Sequence, residues 1–231
     1  MSTRQVPVPD TCSAAFVVLT PDRLDHVDDV PLPDPALLRR HGTSATALER
    51  LADCPNPLVL QTSAPTVDAA PALRDTRIRA LVLAAEHDGL VLDLSPPRLL
   101  EQRPDEVSLA HATQWYVGDP DAVAERAVRT DGLEQFGLPE VVVADVGPER
   151  RAMVDAVVAG LVHRLIAEWP GNDPVGPATI TLRDIAFGLG DPQAATTPAG
   201  RSVDVEIDYD AAAHLLRVTL LQDPAETLFA P

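Results

Sequence analysis

Lysine is absent: all 18 basic residues of the sequence are arginine. That excludes a Schiff-base lysine, a phosphate-loop lysine and the lysine of protein kinases. Aromatic residues make up only 3% of the chain. Any core must therefore be aliphatic, and little material remains for stacking nucleic-acid bases. Cys12 and Cys54 are the only cysteines. Two thiols complete neither a zinc site nor a disulfide framework, so reduced thiols in a cytoplasm are expected. No apolar run reaches membrane-spanning length. No apolar segment of a secretory signal follows Met1-Ser2-Thr3-Arg4-Gln5. Gly-x-Ser-x-Gly, His-Glu-x-x-His and Cys-x-x-Cys are all missing. Gly188-Leu189-Gly190 lacks the third glycine of a dinucleotide fingerprint. No metal and no cofactor are expected.

What is present is acid. The formal net charge is −17. Such a chain is repelled by phosphate backbones and anionic membranes, which argues against nucleic-acid and membrane binding and suits a basic protein partner. At 231 residues and 45% hydrophobic content the chain can build a sizeable core. The expectation is a single α+β domain over 14–222, with a weak boundary near 118–121 and peripheral tails at 1–13 and 223–231. The arginine-only, Ala- and Pro-rich composition suggests a GC-rich bacterial genome.

Periodicity predicts the elements. Short apolar runs at Ala15–Leu19, Leu58–Leu60 and Leu90–Leu94 read as buried strands, with loops over 21–33 and 95–107. Asp34-Pro35 opens a helix, since Asp caps and Pro suits the first helical position. A second start lies at Ser44, with Thr46-x-x-Glu49 as a capping box. Pro71–His87 reads as a helix, with Leu73, Ile78, Leu81, Val82 and Ala85 near helical spacing. Ser108–Val117, with Trp115 and Tyr116, reads as a strand, and Val141–Val146 as another. The long helix over about 148–169 carries a broad apolar stripe from Met153 to Trp169, wide enough for a sheet face. Ala178–Leu182 is a further strand. Val203, Val205, Ile207 and Tyr209 alternate with Asp204, Glu206 and Asp208, and a return strand carries Leu216, Val218 and Leu220. This is a C-terminal β-hairpin with one wet face. The fold class is thus α+β, with a mixed or largely antiparallel sheet, the long central helix, two to three further helices and that hairpin.

The chain turns on Arg129-Thr-Asp-Gly-Leu-Glu-Gln-Phe-Gly-Leu-Pro-Glu140. Asp131-Gly132 supplies a turn, Gly137 invites a positive φ, and Pro139 holds Leu138 extended. Arg129, Asp131 and Glu140 form either an anion-binding or catalytic cluster or an arginine–carboxylate tie that pins a turn. His111 and Trp115 share a face if their segment is a strand; they form a pocket floor or a packed tryptophan beside a bonded histidine. Glu86-His87-Asp88 diverge on a helix and cannot close on one metal. His163 has no ligand-type neighbour at helical spacing. The acidic row on Asp204, Glu206 and Asp208 reads as a solvated face eased by Arg217.

Gly89–Leu94, the Trp-bearing segment, Thr130–Val146 and the helix after Pro148 together resemble a bacterial α+β domain family of unknown function. Its segment Thr-x-Gly-Leu-x-x-Phe-Gly-x-Pro-Glu enters a strand and then a long helix. The resemblance spans roughly residues 70–170 and implies a fold but no activity; the position that is often Arg in the family is Asp131 here. The leading expectation is a non-catalytic protein of accessory or immunity type acting through a protein partner. The alternative is a hydrolase or transferase with its site around Arg129–Glu140 and His111.

Overall fold

The computed structural model describes residues 4–24 and 29–228. The loop expected over 21–33 and both expected tails lie partly outside the described residues. The chain forms two compact units. One is Thr11–Val107; the other combines the segment up to Asp10 with the chain from Ser108 onward. The division precedes the boundary expected near 118–121.

The unit Thr11–Val107 contains strand β1 (Thr11–Thr20), helices α1 (Pro35–Arg40) and α2 (Ala45–Arg50), strand β2 (Asn56–Pro65), helix α3 (Ala69–Glu86), and strands β3 (Leu90–Leu94) and β4 (Pro97–Leu100). The sheet order is β2-β1-β3-β4, antiparallel throughout. Because strand side chains alternate, Val17, Leu19, Leu90, Leu92 and Leu99 share one face, where they join Leu38, Ala47 and Cys54 in the core. Phe16, Val18 and Val91 turn to the other face, against α3. Asp34 caps α1 by accepting from Ala36 N–H at 2.7 Å, with Pro35 at the first position. Ser44 caps α2 by accepting from Ala47 N–H at 3.1 Å, so the cap is Ser44 rather than the box expected from Thr46. Residues 95–107 are not all loop. Ser95-Pro96 makes a tight turn and Pro97 opens β4, at the sheet edge where a missing N–H is tolerated.

The second unit contains β5 (Val117–Gly118), β6 (Val128–Asp131), β7 (Glu140–Val143), α4 (Arg151–Glu168), β8 (Gly176–Thr181), α5 (Leu182–Gly188), β9 (Ser202–Asp210), β10 (Leu215–Leu220) and α6 (Pro224–Thr227). Its sheet order is β5-β6-β7-β10-β9-β8; only the β7–β10 pair is parallel. The hairpin β9–β10 is as read, with Val203, Val205, Ile207 and Leu216 buried. The long helix runs Arg151–Glu168, and Val154, Val157, Val158, Leu161, Val162, Leu165 and Ile166 form its buried stripe. Two glycines set its distance to α5. A Cβ at Gly188 would lie 2.2 Å from the Ala159 carbonyl oxygen, and one at Gly160 2.9 Å from Ile185 N.

Three expectations are corrected here. Among the described residues five helices accompany α4, not two to three, and α3 equals it at 18 residues. Ser108–Val117 is not a strand: it is loop with one 3-10 turn at Ala112–Gln114, and β5 starts only at Val117. Trp115 and Tyr116 are adjacent and both buried, which a strand with one wet face would forbid. From Arg4 onward the leading segment is tied down rather than peripheral. Val6 is buried. Arg4 donates to the carbonyls of Pro170 (2.6 Å) and Asn172 (2.7 Å) and lies over the Trp169 ring. In the expected C-terminal tail Leu228 is 1% exposed. No helix of the described residues is long and apolar enough to cross a membrane.

Candidate functional site

The central motif folds as its glycines dictate. β6 ends at Asp131; Gly132 takes φ 125°; Leu133–Phe136 form one 3-10 turn; Gly137, at φ 72°, closes it in the left-handed region; Leu138-Pro139 lead into β7. Leu133, Phe136 and Leu138 are buried. Glu140 reaches back over this loop. Its Oε1 accepts from Gly132 N–H (2.9 Å) and Leu133 N–H (2.6 Å), and its Oε2 accepts from Thr130 Oγ1 (2.5 Å). The Thr130 hydroxyl in turn accepts from Val141 N–H at 2.8 Å. Glu140 thus satisfies the orphan N–H groups at the start of a turn, as a capping carboxylate does for a helix. Burial raises its pKa above the ordinary value, these hydrogen bonds oppose the shift, and neighbouring Asp131 adds to it.

The other candidates surround this loop in structural roles. Arg129 does not pair with Glu140; it holds Asp119 through Nε (2.7 Å) and Nη2, pinning β6 to the turn after β5. Burial alone would raise the Asp119 carboxyl, but the hydrogen bonds from Asp121 N–H and from Arg129 together hold it below its usual range. Asp131 is half-buried at the end of β6 and faces Val117 in register. Trp115 is fully buried; its Nε1 donates to the Ser108 carbonyl at 2.8 Å, and Phe136 meets its ring edge-on at 5.6 Å. Gln135 donates from Nε2 to the carbonyls of both Trp115 and Gly132, each at 2.7 Å. His111 faces Gln114, with Nδ1 3.0 Å from Nε2. Its ring also lies so close to Gly190 that a Cβ there would stand 2.3 Å from Cε1. Trp115, Gln135, Phe136 and the Thr130–Glu140 loop therefore come together; Arg129 and His111 turn to other partners.

The sequence reading missed a second buried polar cluster, in the unit Thr11–Val107. Asp93 on β3 stands opposite Arg98 on β4, and Arg77 comes from α3. Arg77 is 0% and Asp93 1% exposed. Asp93 Oδ1 accepts from Ser95 N–H at 3.0 Å, while its buried Oδ2 has no hydrogen-bond partner. Gln102, with its amide oxygen towards the guanidinium, accepts from Arg77 Nε and Nη2, each at 2.8 Å. Desolvation pushes Asp93 up to about 6 against the pull of Arg77 and Arg98, and pushes Arg77 down to about 9. A signal existed: Arg77 falls four residues after Leu73 and four before Leu81, on the buried stripe of α3.

Two concavities lie in the same unit. One, of about 330 Å³, is a cleft beside α2, α3 and β4 that includes Arg50, Glu101, Gln102 and Arg103. Its charged groups are already engaged. Arg50 pairs with Asp88, Glu101 accepts from Ser44, and Arg103 pairs with Asp105 and Glu106. The other, of about 450 Å³, is an open groove on the sheet lined by Ser13, Ala15, Gln61, Ser63 and Ser95 among others. Among the described residues no group of three or more His, Cys, Asp or Glu side chains could hold a metal ion. Both cysteines are free and buried, and burial raises the Cys54 thiol. No protein-family model matches the chain, and no curated protein and no solved structure is significantly similar to it.

Proposed function

We propose that the protein is a non-catalytic binding protein of a bacterial cytoplasm that works through a basic protein partner. The observation that carries this reading is the outward face of the six-stranded sheet. Val203, Val205 and Ile207 of β9 point into the core, so Asp204, Glu206 and Asp208 line the opposite face. The one arginine beside them in register, Arg217 opposite Asp208, is drawn to Asp210 instead, with Nη2 2.7 Å from Oδ2. The row therefore keeps its negative charge, which suits recognition of a positive surface. The residues around Arg129–Glu140 support the same reading. Glu140 and Thr130 spend their polar atoms on backbone groups and on each other, and Arg129 is engaged by the Asp119 carboxylate, which leaves the alternative of a hydrolase or transferase without a supporting geometry.

The test is affinity capture from the source organism, with wild type and with Glu206→Arg/Asp208→Arg as bait. The expected result is a basic protein retained by the wild type at low salt, released at high salt and missed by the variant. Equal recovery on both baits, or only acidic proteins recovered, contradicts the proposal.

A further inference from the structure

Strand β1 is longer than its neighbour β3. All of Thr11–Thr20 pairs with β2. On its other side β1 meets β3 only from Phe16, opposite Asp93, to Leu19, opposite Leu90. After Leu94 the chain leaves the sheet through Ser95-Pro96 and returns as β4, on the far side of β3. Thr11–Ala15 therefore has an open flank inside a sheet, and among the described residues no other backbone hydrogen bond satisfies it. Every second residue of that stretch directs its N–H and C=O into the gap. The groove of about 450 Å³ adjoins this flank: Leu94 and Ser95 stand at one end, and it extends over Ser13–Ala15 of β1 onto Gln61–Ser63 of β2.

We propose that this notch takes an extended peptide segment from a partner, which pairs antiparallel to Thr11–Ala15 as a continuation of β3. An open strand flank is a template for strand addition: backbone groups give the affinity, and the side chains beneath give the selectivity. Those side chains define the occupant. Ser13, Ala15, Ser63 and Ser95 are small, Gln61 is neutral, and among the described residues no ionisable side chain lines the groove. In a chain of net charge −17, this uncharged floor accepts a segment of small, uncharged residues and gives no electrostatic return to a charged one. The notch is separate from the acidic face of β9, so this binding is independent of the basic partner proposed above.

The experiment uses the full chain as target for a displayed library of linear heptapeptides. Selected peptides are then synthesised with blocked ends and titrated against wild type, Ser13→Arg and Ser63→Arg. The two substitutions fill the groove from exposed positions of β1 and β2. The expected result is enrichment of small, uncharged sequences. Their affinity should fall at least tenfold in either variant, change little with salt, and slow hydrogen exchange of the Thr11–Ala15 amides. Peptides that bind both variants as well as wild type, or protect another segment, overturn the proposal. So does slowed exchange at Thr11–Ala15 that depends on protein concentration alone, because the occupant is then a second copy. Failure here leaves the salt-sensitive capture on the β9 face untouched, and failure of that capture leaves this result standing.

Discussion

Each unit holds a carboxylate away from solvent, Asp93 fully buried and Glu140 half-buried, and the two are held by different means. Glu140 receives two backbone N–H groups and a hydroxyl, all from within its own loop. Asp93 receives one backbone N–H, keeps one buried oxygen without a hydrogen bond, and relies on the nearby charges of Arg77 and Arg98. Local hydrogen bonds fix a shape, and removing them loosens one turn. Long-range charge offsets the desolvation of three groups only in part, since burial still holds Asp93 above and Arg77 below their ordinary values, and removing one member changes the surroundings of the others. Glu140 is thus a staple of a loop, whereas Asp93 is the counter-charge of a packed layer between α3 and the sheet.

The largest effect expected from this contrast is that of Asp93→Ala. It deletes the acceptor of Ser95 N–H, opens a cavity and leaves two neighbouring guanidiniums without the side chain between them, and should cost about 3–5 kcal/mol in urea unfolding. Adding Arg77→Met and Arg98→Met should recover much of that loss, since apolar groups of similar size often replace buried ions without penalty. If the single substitution is silent, Asp93 is not the counter-charge. In the other unit the comparable weight lies in apolar packing. Leu161→Ala, on the buried stripe of α4, should cost about 2–5 kcal/mol through lost transfer energy and a cavity. Next is Gly137→Val. The φ of 72° excludes a β-branched residue, so a loss of about 1–3 kcal/mol is expected. An unchanged denaturation midpoint would show that the loop relaxes to another conformation.

A smaller effect separates the units by pH. Burial pushes the Asp93 carboxyl up to about 6, above the ordinary carboxylate range. The folded state therefore binds the proton more tightly, and stability rises as pH falls through about 6. Between pH 7.5 and 5 the gain should be about 1 kcal/mol. His163 has the opposite sign. Burial lowers its pKa below 6.5, so the folded state resists protonation and loses stability as pH falls from about 6.5. Trp115 and Trp169 both lie in the unit from Ser108 onward, so tryptophan fluorescence follows that unit, while exchange of β1 and β3 amides follows the other. Parallel pH responses that persist in Asp93→Asn and His163→Gln would refute the distinction.

Local pattern made part of this legible. The strict alternation Val203-Asp-Val-Glu-Ile-Asp gives both the hairpin and its acidic face. The stripe of α4 and the positive φ of Gly137 follow from spacing and from a proline two residues on. What was not legible depends on distant partners. Arg77 shows only its place on the helical stripe until Asp93 and Gln102 arrive from elsewhere in the chain. Trp115-Tyr116 reads as strand because both are bulky and apolar, yet the loop is held by Ser108, Gln114 and Gln135. Arg4 and Gln5 sit in a segment with no local pattern, and their order comes from residues 169–173. The candidate site showed the same limit. Arg129, Asp131 and Glu140 lie close in sequence, but Arg129 pairs with Asp119 and Glu140 with the turn at Gly132-Leu133.

Unfolding of Glu140→Gln tests most directly whether the central motif is a staple rather than a reaction site. The amide keeps the size of the side chain but must turn one NH₂ group towards a donor, either Thr130 Oγ1 or the Gly132 and Leu133 amides. A loss of about 1–3 kcal/mol is predicted, with capture of the basic partner unchanged in the fraction that remains folded. Wild-type stability with partner capture lost would contradict the account and place Glu140 at the working surface.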